Sequence, residues 1–160
     1  MGVQLRRVLV RRSGQLLQAG TGAAELSGSA GARAALSAGD VAGNFIMRWK
    51  LLWWNVNGLR AAEKKGFGDW LGQTGADIVA VQETKARPEQ LSEALLNPPG
   101  YRAYWSAAEK KGYSGVGTYS RLRPLAVATG LDDPRFDPEG RVLISEFEPF
   151  VFLKICVSNM

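Results

Sequence analysis

Two apolar runs constrain this chain more than anything else in it. Trp49-Lys50-Leu51-Leu52-Trp53-Trp54 and Ile78-Val79-Ala80-Val81 are nearly continuous, the pattern of strands covered on both faces. Between them, Leu59 to Gly72 reads as one broken helix or two short ones. Phe67, Trp70 and Leu71 fall at helical spacing there, while Gly66 and Gly68 interrupt it. Pro88 then suits the first turn of a helix whose Leu91, Ala94 and Leu95 make one face, and Asn97-Pro98-Pro99-Gly100 stops it. Strand, helix, strand, helix in that order argues for α/β layering.

Beyond residue 100 the texture turns to strands. Tyr101–Ser106 alternates weakly, and Ala107 to Ser114 forms a charged loop containing Glu109, Lys110 and Lys111. Gly115–Ser120, Leu125–Thr129, Arg141–Phe147 and Phe150–Val157 read as further strands, the last two joined as a hairpin through Glu148-Pro149. The connection between Gly130 and Gly140 is acidic, with Asp132, Asp133, Asp137 and Glu139.

At 160 residues the chain has room for one domain or less. It contains no histidine, which excludes an imidazole base or ligand from its own chemistry. Its one cysteine, Cys156, excludes an intramolecular disulfide and a cysteine zinc cluster, and apolar neighbours predict a buried strand thiol. The net charge of +5 suits a polyanionic partner without requiring one.

Residues 1–46 differ in composition from the rest. They hold Arg6, Arg7, Arg11, Arg12 and Arg33, no lysine, and only Glu25 and Asp40 as acids. From Ser13 to Gly43 the chain is largely alanine, glycine, serine and leucine. No apolar run approaches membrane-spanning length, and Arg11-Arg12 cut off Val8-Leu9-Val10 before it could serve as a secretory signal. Residues 1–46 are therefore expected to be a poorly ordered basic leader, ahead of a domain over residues 47–160. The tract 13–43 offers few large apolar groups to offset the entropy of ordering. The expected location is cytoplasmic, nucleoid-associated if bacterial, with an organellar presequence at 1–46 as the alternative.

The polar groups that matter stand where the two buried strands end. Asn55 closes the first and Glu83 follows the second, at the carboxyl ends where α/β sheets place their chemistry. If those strands are neighbours, an amide and a carboxylate converge on one point. A hard divalent cation prefers oxygen ligands, and one or two carboxylates hold it beside a phosphate. Spacing leaves a second reading open, in which Asn55 bonds its own turn and Glu83 caps the following helix.

Four blocks in order carry a resemblance: Trp54-Asn55-Val56-Asn57-Gly58-Leu59-Arg60-Ala61, Gln82-Glu83-Thr84-Lys85, Lys111-Gly112-Tyr113-Ser114-Gly115-Val116-Gly117 and Glu139-Gly140-Arg141-Val142. Together they resemble the exonuclease III family of abasic-site endonucleases, within the endonuclease/exonuclease/phosphatase superfamily. The resemblance covers about residues 49–159. It implies the first half of an incomplete four-layer α/β sandwich of the DNase I-like type. It also implies a DNA-repair nuclease that hydrolyses phosphodiesters with Mg2+ (or Mn2+), acting on double-stranded DNA with abasic sites or 3′ ends. No membrane and no obligate protein partner are implied.

Carried over residue by residue, the resemblance makes Glu83 the metal ligand and, with Asn55, the partial catalytic site. Asn57, Arg60, Lys85, Lys110 and Tyr113 fall in blocks whose loops approach the DNA backbone. There, cationic groups meet phosphates while amides and backbone groups fix register. The resemblance departs at the end of the chain. A full member carries a tyrosine, further aspartates and asparagines and a closing aspartate–histidine pair beyond the stretch matching Val157–Met160. The expectation is thus an N-terminal portion with weak or no turnover, whose first sheet leaves its inner face exposed. The alternatives are a non-catalytic DNA-binding fragment and a phosphatase or DNase-like branch on the same fold.

Overall fold

The computed structural model describes residues 4–11, 16–18 and 46–157. Its strands are β1 (Gln4–Arg11), β2 (Leu16–Gln18), β3 (Ile46–Asn55), β4 (Ile78–Gln82), β5 (Arg102–Ser106), β6 (Val116–Ser120), β7 (Ala126–Thr129), β8 (Val142–Phe147) and β9 (Phe150–Ile155). Its helices are α1 (Leu59–Glu63), α2 (Phe67–Thr74) and α3 (Glu93–Leu96). The strands form a six-stranded sheet in the order β2-β1-β3-β4-β6-β5 and a three-stranded sheet in the order β7-β8-β9.

The apolar runs behave as their composition demands. Successive residues of a strand point to opposite faces. Leu52, Val79, Val81 and Tyr119 accordingly join Leu59, Phe67, Leu71 and Leu95 in a core under the helices. Trp49, Leu51 and Ile78 pack on the other face against Phe147, Phe150 and Phe152 of the second sheet. Two facing sheets with helices outside the first match the expected incomplete four-layer sandwich. Gly66, at φ 88°, breaks the Leu59–Gly72 segment into α1 and α2.

Three expectations are corrected. The helix starting at Pro88 is a single 3-10 turn over Pro88–Gln90, after which Leu91 is extended and α3 begins separately. Ser92 causes the break, since its hydroxyl accepts from the Leu95 N–H at 3.3 Å and so caps a new helix. Ala94, placed on the buried face, is exposed. The inner face of the first sheet is not left bare, because β8 and β9 cover Trp49, Leu51 and Ile78. Among the apolar groups left exposed are those on the outer side of β9, where Val151, Leu153 and Ile155 alternate with inward residues.

Part of the expected leader lies among the described residues. Gln4–Arg11 pairs antiparallel with β3, from Gln4 opposite Trp53 to Arg11 opposite Ile46. The segment contains Val8-Leu9-Val10, good strand formers, and β3 would otherwise present an unpaired edge. Residues 1–3, 12–15, 19–45 and 158–160 lie outside the described residues, and with them most of the tract 13–43. Among the described residues, no helix is long and apolar enough to cross a membrane.

Lys154 lies opposite Leu143 in the β8–β9 register and is only 6% exposed. Burial disfavours its charged form and pulls its pKa down to about 8. Between pH 8 and 10.5 the unfolded chain therefore holds a proton at this position that the folded chain has lost, so stability rises with pH there. Lys154→Met is expected to be more stable than the wild type at pH 7, by at least about 1 kcal/mol. That gap should close as pH rises through this window. Urea denaturation of both proteins at pH 7 and pH 10.5 measures it.

Candidate active site

Parallel pairing of β3 with β4 sets Asn55 opposite Gln82, so the two strands end level. Beyond that end, the Gly58 N–H donates to the Glu83 carbonyl at 2.8 Å and the Leu59 N–H to the Thr84 carbonyl at 2.9 Å. The turns after the two strands are thereby stitched together. Asn57, Glu83 and Lys85 all take left-handed backbone, with φ of 47°, 51° and 50°. Non-glycine residues occupy that region at a cost, and such positions cluster at functional sites.

The side chains converge as the strand ends require. Asn55 Nδ2 donates to Glu83 Oε1 at 2.5 Å, and Asn55 Oδ1 accepts from the Asn57 N–H at 3.1 Å. Lys85 Nζ lies 3.2 Å from Glu83 Oε2 and also donates to Asn57 Oδ1. The Asn55 hydrogen bond holds the Glu83 carboxyl below its ordinary value of 4.5. Burial opposes this, while Lys85, by hydrogen bond and charge, and the charge of Arg141 reinforce it. The Lys85 and Glu83 side chains are 37% and 33% exposed, so their ion pair adds little stability. Its consequence is a carboxylate held in place between Asn55 and Lys85.

A second loop closes the site. The Thr84 N–H donates to the Gly115 carbonyl at 3.1 Å and the Lys85 N–H to the Ser114 carbonyl at 2.8 Å. Gly115 has φ 84°, and a Cβ there would sit 2.3 Å from Thr84 Oγ1, so only glycine allows the approach. This loop carries Tyr113, with Lys110 Nζ 5.4 Å from its ring centroid. A groove of about 450 Å³ beside the network is lined by Gly58, Arg60, Ala61, Lys64, Thr84, Lys85 and Gly112.

The residues predicted from sequence thus fall into three neighbouring groups. Asn55, Asn57, Glu83 and Lys85 form one network, Arg60 shares the groove with Lys85, and Tyr113 and Lys110 occupy the adjoining loop. The reading missed Lys64, on the groove, and Arg141, whose guanidinium donates to the Tyr113 hydroxyl at 2.9 Å. Lys64 follows Arg60 by one helical turn, a spacing visible in the sequence. Among the described residues, no group of three or more His, Cys, Asp or Glu could hold a metal ion. The donor set at the network is one carboxylate with neighbouring amide oxygens. That set fits a hard cation that takes its remaining ligands from phosphate and water.

The sequence profile of the Endonuclease/Exonuclease/phosphatase family matches residues 52–158. The chain belongs to this family. Within it, the domain is exonuclease III/AP-endonuclease-like. It is 42% identical over 111 residues to an exodeoxyribonuclease of Bacillus subtilis, an alignment covering 69% of this chain and 43% of that protein. It is 39% identical over 112 residues to the DNA repair nuclease APEX1 of Danio rerio, covering 69% of this chain and 36% of that one. Among solved structures, an AP endonuclease from Archaeoglobus fulgidus superposes with a TM-score of 0.58 at 28% identity, covering 67% of this chain and 40% of that one. The chain spans less than half the length of each of these family members.

The Gly115 contact gives a direct test of how the site is stitched. Gly66 has a similar φ of +88° but open space around it, with nothing within 4 Å of an added Cβ. Gly66→Ala is expected to cost about 1 kcal/mol from backbone strain alone, and Gly115→Ala about 2–3 kcal/mol because Thr84 must also move. Guanidinium denaturation of the two variants separates strain from clash.

Proposed function

We propose that this domain binds the backbone of duplex DNA at abasic sites or 3′ ends, as part of a divalent-cation-dependent phosphodiesterase. The observation that carries the reading is the Asn55–Glu83–Lys85 network beside a groove lined by Arg60, Lys64 and Lys85. An ionised carboxylate flanked by cationic side chains suits a cation and a phosphate together. The names of the relatives, an exodeoxyribonuclease and a DNA repair nuclease among them, support the same reading.

Each residue then has a task. Glu83 would hold Mg2+ or Mn2+, which when bound supplies charge neutralisation at the scissile phosphate. Asn55 fixes the Glu83 carboxylate, and through Oδ1 fixes the Asn57 turn. Asn57, Arg60, Lys85, Lys110 and Tyr113 meet the DNA, the cations by charge and the others by register. Among the described residues the network holds one carboxylate, which cannot both ligate the cation and activate water. We therefore assign the 160-residue chain salt-dependent binding with little or no turnover. Residues 1–46 are assigned the role of a leader whose Gln4–Arg11 adds a strand to this domain's sheet, and the protein a cytoplasmic location.

The test is fluorescence anisotropy with a labelled duplex bearing one tetrahydrofuran abasic analogue, run over a range of salt, with cleavage followed on gels. Tight binding with a steep negative salt dependence is expected, and Arg60→Gln or Lys85→Gln should each reduce that slope by about 0.9. Mn2+ affinity, read by electron paramagnetic resonance, should fall at least about tenfold in Glu83→Gln. Binding indifferent to salt, or Mn2+ affinity unchanged by Glu83→Gln, would remove the reading.

A further inference from the structure

Arg141 stands just before β8 and sends its side chain back across the site's edge. Only 14% of that side chain is exposed, and each nitrogen of its fork is engaged. Nε donates to Glu139 Oε2, Nη1 to the Cys156 carbonyl at 3.2 Å, and Nη2 to the Tyr113 hydroxyl at 2.9 Å. The guanidinium carbon also lies 5.6 Å from the Tyr113 ring centroid. One side chain thus joins the acidic connection, the end of β9 and the Tyr113 loop.

The loop needs such a tie. Tyr113 is 39% exposed and stands between Gly112, at φ 72°, and Ser114, at φ 41°, with no regular structure to fix its ring. The base of the loop is already held. The Arg87 guanidinium donates to the Ala108 and Glu109 carbonyls, and the Glu109 N–H donates to the Pro138 carbonyl at 2.9 Å. Gly140, at φ 60°, presses so close that a Cβ there would lie 2.3 Å from the Ala107 carbonyl carbon. Those contacts fix the chain up to residue 109, and none of them reaches the Tyr113 ring.

We propose that Arg141 is a positioning residue, holding Tyr113 in the orientation in which it meets the nucleic-acid backbone, and does not itself pair with phosphate. The proposal rests on the DNA-binding reading above. Its chemical ground is that a buried guanidinium with its fork spent on three protein acceptors has little left for a ligand. An exposed tyrosine hydroxyl with an arginine donor keeps its own proton free to donate. Lysine, a point charge with no fork, cannot make all three contacts at once.

The experiment compares the full chain with Arg141→Met, Arg141→Lys, Tyr113→Phe and the Tyr113→Phe/Arg141→Met pair, in two measurements. In the first, fluorotyrosine-labelled protein reports the Tyr113 resonance, assigned by its loss in Tyr113→Phe. That resonance should shift and sharpen in both Arg141 variants, with Arg141→Lys serving where Arg141→Met fails to fold. An unmoved resonance overturns the proposal. In the second, anisotropy with the abasic duplex should show Tyr113→Phe and Arg141→Met each weakening binding about tenfold. The pair should lose no more than the larger single change, and the salt slope should not change. Losses that multiply, with a slope reduced by about 0.9 in Arg141→Met, would show that Arg141 meets phosphate itself and overturn the proposal. If the wild-type chain binds no duplex, the DNA reading falls, and the fluorine spectra alone decide whether Arg141 positions Tyr113.

Discussion

Parallel strands that end level place the first residues of their exits side by side, and the site depends on that geometry. Asn55 and Glu83 are 28 residues apart in sequence yet share a 2.5 Å hydrogen bond, because β3 and β4 pair from Leu51 opposite Ile78 to Asn55 opposite Gln82. A slip of one residue would turn either side chain to the other face of the sheet and dissolve the contact. The register is held by burial on both faces: Leu52 and Val79 pack under the helices, and Leu51 and Ile78 pack against the second sheet. The chemistry at the strand ends is therefore anchored by the apolar runs that precede it.

The arrangement gives charge without much stability. Lys85 and Glu83 are partly exposed, so their pairing contributes of the order of 0–1 kcal/mol. The stabilising work falls to backbone bonds that tie the Glu83–Lys85 turn to Gly58 and Leu59 on one side and to Ser114 and Gly115 on the other. Left-handed residues at Asn57, Glu83, Lys85 and Ser114 are tolerated because those bonds surround them. The second sheet is coupled to the same edge, where Gln82 Nε2 donates to the Ile155 carbonyl at 3.2 Å and Arg141 reaches the Cys156 carbonyl.

Much of this was legible in the sequence. The unbroken apolar character of Trp49–Trp54 and Ile78–Val81 marked the central strands, and their polar exits marked Asn55 and Glu83. Gly66 foretold the break between α1 and α2, whereas Gly68, read as a second interruption, lies inside α2. What escaped the reading depended on competition or on distant partners. Ser92 out-competed continuation of the Pro88 turn by capping its own helix. The pairing of Gln4–Arg11 with β3 joins segments about 40 residues apart, beyond any local pattern. Arg141 was noticed only as part of a motif, since its partners Tyr113 and Cys156 lie 28 and 15 residues away. The inner side of β9 was unreadable for a similar reason: one face of Phe150–Ile155 is wholly apolar and the other carries Lys154, yet it is the Lys154 face that packs toward the first sheet.

The central claim is that the Asn55 amide, more than any charge, lowers the Glu83 carboxyl pKa and fixes the group at the strand end. Carbon-13 NMR of the Glu83 carboxyl, titrated in the wild-type chain and in Asn55→Ala, tests it most directly. The wild-type carboxyl should titrate below 4.5, and the variant should titrate higher, because the leading hydrogen bond is gone while burial still opposes the charge. An Asn55→Ala titration that overlays the wild type would contradict the account, leaving Lys85 as the group that controls the site.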